Sequence, residues 1–180
     1  MPLGLPSGIV AVVPYDPAWP GLFAEEAARL RAALGPALPL ALEHMGSTAV
    51  SGLAAKPVLD LLAGYPAVAA VAPYVAALRA AGYEHRGEQG IPGREYFRRG
   101  SPCAYHLHLA AQGDTFWREH LAFRDALRAA PATRDAYAAL KLELARRFPR
   151  DRERYTEGKT AFVRRVVAAA CCGTSTVGAP

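Results

Sequence analysis

The chain has 180 residues, a net charge of +5, a pI near 9.3 and 52% hydrophobic content, enough for one domain with a buried core. Charge and proline interrupt its apolar stretches too often for a membrane span. The N-terminus has neither a basic lead nor a long apolar run, so a cytoplasmic protein with no membrane partner is expected. The positive balance suits a polyanionic ligand. The arginines are scattered, however, and form no basic block, so no specific nucleic-acid binding is expected.

Ile9 to Val13 is an aliphatic run ending at Pro14 and predicts a short strand. Asp16-Pro17 predicts a helix start, with Asp16 as N-cap; Trp19, Leu22, Phe23, Ala27, Leu30 and Leu34 form its stripe before Gly35-Pro36. Leu40 to Met45 and Pro57 to Ala63 predict two further strands, joined through Gly46-Ser47-Thr48. An Ala/Val-rich helix is expected from about Ala67 to Ala81. Tyr83 to Arg86, Arg94 to Arg98 and Ala104 to Ala110 then predict an antiparallel meander. From Asp114 the period turns helical. Pro131 is expected to break the first of these helices, Thr133 to cap the next, and Asp151 to open the last. The expected domain spans 1–170, with a sheet part at about 9–112, a three-helix C-terminal lobe at about 113–169 and a flexible tail at 171–180. This is an α+β architecture. Cys103, Cys171 and Cys172 match neither zinc spacing nor a disulfide framework and are expected to be reduced.

The chemistry centres on Gly46-Ser47-Thr48 and Asp60. A Gly-Ser turn exposes backbone N–H groups and a hydroxyl to a phosphate, and an acid on the next strand can hold the divalent metal that bridges phosphates. On that strand Val58, Asp60 and Leu62 share one face. Such a carboxylate needs a metal or a cationic partner, and Lys56 is at hand. His106 and His108, two apart on a strand, point the same way and could join Asp60 in a metal site or hydrogen-bond in a crowded cleft. Arg94 can fork onto a phosphate; Arg98 and Arg99 read as exposed edge charges. Tyr137…Lys141 and Tyr155…Lys159 repeat an i,i+4 pair. Either the rings border a nucleobase while the lysines neutralise phosphate, or the rings are core and the lysines reach solvent. Arg124, in Phe123-Arg124-Asp125, reaches the cleft or pairs with its neighbours. Neither a nucleophile elbow nor a full Walker A loop is present.

Val13-Pro14-Tyr15-Asp16-Pro17-Ala18-Trp19, Glu43-His44-Met45-Gly46-Ser47-Thr48-Ala49-Val50, Gly52 to Asp60, His106-Leu107-His108, and Phe123 to Arg128 together resemble the GrpB-like protein family. Tyr137…Leu140-Lys141 and Tyr155…Lys159 match its C-terminal helices. That family is similar to the polymerase-beta-like nucleotidyltransferase superfamily. The resemblance implies a mixed sheet flanked by helices, Gly46 and Ser47 cradling a nucleoside triphosphate, and Asp60 as first metal ligand. Lys56, Arg94, Arg124, Tyr137, Lys141 and Lys159, with Thr48, are the expected nucleotide partners. Asp60, His106 and His108 are the expected ligands of Mg²⁺ or Mn²⁺, with Zn²⁺ as the alternative.

The implied activity is metal-dependent nucleotidyl transfer to an unknown acceptor, with Asp60 and Ser47 at its centre. Active members of the superfamily carry a second carboxylate two residues on, where this chain has Leu62. Glu43 or Glu95 could contribute instead, although Glu43 alternates away from His44. The alternative expectation is a nucleotide- and metal-binding module impaired in catalysis, and a third is a domain recruited for its surface.

Overall fold

A five-stranded sheet in the order β1-β2-β5-β4-β3 organises the chain. In the computed structural model, which describes residues 3–173, the strands are β1 (Ala41–Met45), β2 (Leu59–Tyr65), β3 (Glu84–His85), β4 (Glu95–Arg99) and β5 (Tyr105–Ala111). The central pair β2 and β5 is parallel, and the other pairings are antiparallel. The expected meander of the last three strands is therefore present. The architecture is α+β with a mixed sheet, as the sequence implied.

The register decides what can meet. Met45, Asp60, His106 and Arg98 are successive cross-strand partners and form one row. Glu43, Leu62, His108 and Tyr96 form the next. Side chains paired across a sheet share a face, so both rows point the same way. Leu59, Leu61, Ala63, Phe97, Leu107 and Leu109 point to the other face. There they pack under two helices, α1 (Trp19–Leu34) and α2 (Ala72–Ala80). Trp19, Leu30, Leu61 and Leu107 are almost wholly buried, each worth about 1.5–3 kcal/mol of apolar transfer.

The polar-lined face is covered by α3 (Thr115–Ala129), α4 (Pro131–Arg147) and α5 (Arg152–Gly173). Trp117 of α3 lies against Gly64 of β2, where a Cβ would come within 2.5 Å of the indole. Asp114 caps α3 by accepting from the Trp117 amide at 2.7 Å, and Asp151 caps α5 by accepting from the Arg154 amide at 3.0 Å. Among the described residues no helix is long and apolar enough to cross a membrane.

Local departures from the sequence reading follow from backbone chemistry. Residues 9–13 form no strand; Val13 makes an isolated bridge with Ala55, and the Val10 amide donates to the Pro149 carbonyl. Val10 packs beside Leu144 and Tyr155, so this arm runs towards the helical lobe rather than along the sheet. The first helix starts at Trp19, later than expected, although Asp16 does accept from the Ala18 amide at 2.9 Å. The second helix begins only at Ala72, because Pro73 lacks an N–H and fits the first turn but not the interior. Pro131 opens α4 for the same reason, which leaves Thr133 inside the helix rather than capping it. Residues 171–173 of the expected tail, Cys171 and Cys172 among them, are in α5; residues 174–180 lie outside the described residues.

Candidate functional site

Between the polar-lined sheet face and the helical lobe lies a cavity of about 520 Å³. Its floor starts where β1 ends. Gly46 adopts φ 72°, a left-handed conformation that favours glycine, and turns the chain into a single 3-10 turn, Ser47–Ala49. Buried His44 shares a 3.0 Å hydrogen bond with Thr48 and stacks on Phe23, which fixes the turn from below. Burial pushes the His44 imidazole down to about 4, keeping it neutral.

Asp60 sits beside this turn. Its Oδ1 is 3.0 Å from His106 Nδ1, across the parallel pair. Burial alone would raise the Asp60 pKa. The His106 hydrogen bond and charge, together with Lys56, outweigh it and hold the carboxyl well below the usual range. His106 moves the other way: burial disfavours its charge, but its bonds to Asp60 and to the Cys103 thiol raise its pKa. The two shifts reinforce each other, favouring a carboxylate on Asp60 and a proton on His106. His108 is different. Burial carries it down to about 3, and its Nδ1 lies 3.5 Å from the Arg94 guanidinium.

Apart from Asp60, the charged side chains of the lining are basic. Lys56, Arg86, Arg94, Arg98, Lys141, Arg152 and Lys159 surround the cavity, and Asp60 is its only carboxylate among the described residues. Lys141 is almost completely buried, donating to the Ala54 carbonyl, with its ammonium 4.8 Å from the Tyr137 ring centre. Lys159 lies 4.4 Å from the Tyr155 ring centre, and Lys56 lies 5.7 Å from the same ring. Burial and then neighbouring ammonium groups lower Lys141 to about 7 and Lys159 to about 8. Arg94 is buried, with Nη2 donating to both the Glu88 and Gln89 carbonyls and its Nε left without a partner. A cavity lined by seven lysine and arginine side chains and one carboxylate has the charge balance to accept an anion.

Gly46, Ser47, Thr48, Lys56, Asp60, Arg94, His106, His108, Tyr137, Lys141 and Lys159 all line this one cavity. The two tyrosine–lysine pairs divide between their sequence readings: the rings are buried, as the core reading expected, but both lysines line the cavity and Lys141 is almost wholly buried rather than reaching solvent. Arg124 is not among the lining residues. It donates to Glu43 Oε2 at 2.7 Å, to the His44 carbonyl at 3.1 Å and to Asp125 Oδ1 at 2.8 Å, tying α3 to β1. Glu43 is on the Asp60 face but engaged with Arg124; Glu95 is on the other face, 2.6 Å from His85.

Sequence reasoning missed Arg98 and Arg152. Arg98 is no exposed edge charge, since it lines the cavity and reaches the Cys103 thiol at 3.4 Å; its place on the Arg94–Tyr96 face was the available signal. Arg99 is likewise engaged, contacting buried Glu26 on the opposite face. Arg152 is one arginine among many at a helix start, and nothing local marks it. Cys103 is buried, and its thiol is lowered to about 7; burial opposes the shift, but His106 and Arg98 prevail.

The donors do not fit a resident metal centre. Among the described residues no group of three or more His, Cys, Asp or Glu is arranged to hold a metal ion. Asp60 Oδ1 is committed to His106, His108 faces a guanidinium, and Leu62 fills the place of a second carboxylate.

A mixed sheet with a glycine-serine turn after its edge strand, an acid on the neighbouring strand and a helical lobe closing the cleft defines a nucleotidyltransferase fold. In keeping with this, a solved GLD-2/RNP-8 complex superposes with a TM-score of 0.57, covering 89% of this chain and 62% of that one at 16% identity. The family is more specific: residues 9–169 match the model described as GrpB protein, and the chain belongs to the GrpB family. The crystal structure of conserved protein GrpB from Enterococcus faecalis is 36% identical, with a TM-score of 0.82, and covers 91% of this chain and 99% of that one. The UPF0157 protein YqkA of Bacillus subtilis (strain 168) is 37% identical over 88% of this chain, which spans 46% of that relative's length.

Proposed function

We propose that this protein binds a nucleoside triphosphate in the basic cavity as a cytoplasmic nucleotide-binding module of the nucleotidyltransferase fold. The observation that carries the reading is the charge of the lining, many cations around a single carboxylate that is already paired. The Gly46–Ser47 turn offers backbone donors and a hydroxyl to phosphate oxygens. Lys141 and Lys159 from the helical lobe and Lys56 from the loop before β2 supply neutralising charge. Phe123, half-buried at the cavity and edge-on to Tyr137 with centroids 5.2 Å apart, offers an apolar ring to a base.

Metal-assisted transfer to an acceptor is disfavoured, since two-metal chemistry needs several carboxylates and this face of β2 offers Asp60 and then Leu62. Isothermal calorimetry with the four ribonucleoside triphosphates tests binding. Release of pyrophosphate in the presence of Mn²⁺ and candidate acceptors, lost in Asp60→Ala, would restore the transferase reading. Binding by none of the four removes the nucleotide reading.

A further inference from the structure

The divalent cation that a nucleotidyltransferase fold uses to hold triphosphate has a substitute in this chain. We propose that the site takes polyphosphate as the free anion, with no divalent metal, and that Lys56, Lys141, Lys159, Arg98 and Arg152 do the work of charge neutralisation. This rests on the nucleotide reading above and specifies the ionic form of its ligand.

Three observations point the same way. First, Asp60 is already partly engaged. Oδ1 faces His106 at 3.0 Å, and Oδ2 lies close beside Gly46, 2.5 Å from where a Cβ on that residue would stand. Second, the positions from which further ligands would come hold something else. Leu62 is fully buried between Glu43 and His108 in its row; Glu43 is bound by Arg124, and His108 faces Arg94. Third, the cavity already carries fixed cations, and the one carboxylate among the described residues that line it is Asp60, which His106 already engages. A phosphate chain entering this space meets positive charge on several sides. A metal–triphosphate complex brings less negative charge to the same wall and sets its own cation against the lysines.

Asp60 then has an unusual role. It offsets part of the cationic wall when the cavity is empty, and it opposes the phosphates when the cavity is full. Its removal should help the anion, whereas removal of a metal ligand should abolish binding.

The experiment is calorimetry of the full chain with ATP, once in EDTA and once in excess Mg²⁺, with inorganic tripolyphosphate in EDTA as a second probe. The expected result is that ATP binds in EDTA about tenfold or more tighter than in Mg²⁺, and that tripolyphosphate also binds in EDTA. Asp60→Asn should bind ATP in EDTA at least as tightly as the parent, and Lys56→Met should weaken it by about tenfold. ATP binding that requires Mg²⁺ or Mn²⁺ overturns the inference and leaves the nucleotide reading standing. Absence of ATP binding in both buffers overturns the nucleotide reading itself and the inference with it. The comparison of buffers uses the unaltered chain, so it remains decisive even if Asp60→Asn fails to fold.

Discussion

Gly46 and Asp60 are packed so closely that no side chain fits between them: a Cβ on Gly46 would lie 2.5 Å from Asp60 Oδ2 and 3.0 Å from Asp60 Cβ. The cradle and the carboxylate are therefore one unit. The turn after β1 is held by the strand next to it, and the acid on that strand is held by the turn.

Replacement of Gly46 by alanine tests that coupling. Its φ of 72° costs an L-residue about 1–2 kcal/mol, and the added methyl must also push Asp60 off His106. Urea denaturation should show a loss of about 2 kcal/mol or more. The His106 pKa, followed by NMR, should fall as its carboxylate partner withdraws. An unchanged His106 titration would mean the turn and the acid are independent.

Arg124→Leu separates architecture from binding. Arg124 is mostly buried, and its bonds to Glu43 and to the His44 carbonyl join α3 to β1. Loss of these bonds should destabilise the fold by about 1–3 kcal/mol. ATP affinity measured on the folded fraction should change little, because Arg124 does not line the cavity. A large loss of affinity with intact stability would return Arg124 to the set of ligand partners that the sequence suggested.

That contrast shows what a sequence can carry. The alternation in Val58-Leu59-Asp60-Leu61-Leu62 places Asp60 on one face, and the spacing of His106 and His108 places both imidazoles together. Both features are local and both are present. What brings Asp60 opposite His106 and Arg98 is register between strands far apart in the chain, which no local period encodes. Arg124 and Arg98 exchange their expected roles for this reason. Each is one residue on a well-predicted element, and only the packing of α3 and the pairing of β4 with β5 decide which of them meets the cavity. Helix starts depart from expectation where proline serves as a first-turn residue, at Pro73, which the expected helix ran through, and at Pro131, which was expected to end one.

Lys141→Met should set binding against stability. The ammonium is almost wholly buried beside Tyr137 and donates to the Ala54 carbonyl, with Lys159 and Lys56 adding repulsion. A thioether of similar reach keeps the packing and removes the buried charge. The melting temperature near pH 6.5 should therefore rise in the absence of ligand, by about 2–4 °C for each kcal/mol recovered at the midpoint. ATP affinity should fall. A variant both less stable and equally tight would show that Lys141 serves the fold alone.

The pH dependence follows from the same lysines. In the folded chain Lys141 titrates at about 7 and Lys159 at about 8, each lowered from 10.5 by burial first and then by neighbouring cations, with Asp60 acting in the opposite sense. Lys56 and Arg152 face them from the loop before β2 and from α5, and Tyr137 and Tyr155 supply the rings. The unfolded chain keeps both protons up to about 10.5, so between about pH 7 and pH 10.5 it binds more protons than the folded chain, and stability rises with pH. Below about pH 7 both groups are charged in either state and this contribution is flat at its least favourable. Polyanion binding runs the other way. Phosphate oxygens favour the ammonium forms, so ATP should bind best at or below about pH 7 and weaken as pH rises through the two folded values. Calorimetry near neutrality in buffers of different ionisation enthalpy should therefore report proton uptake on binding. Lys141→Met should reduce both that uptake and the slope of melting temperature against pH. Proton release on binding, or a stability that falls from pH 7 to pH 9, would contradict the assignment of these two lysines as the charge that the ligand completes.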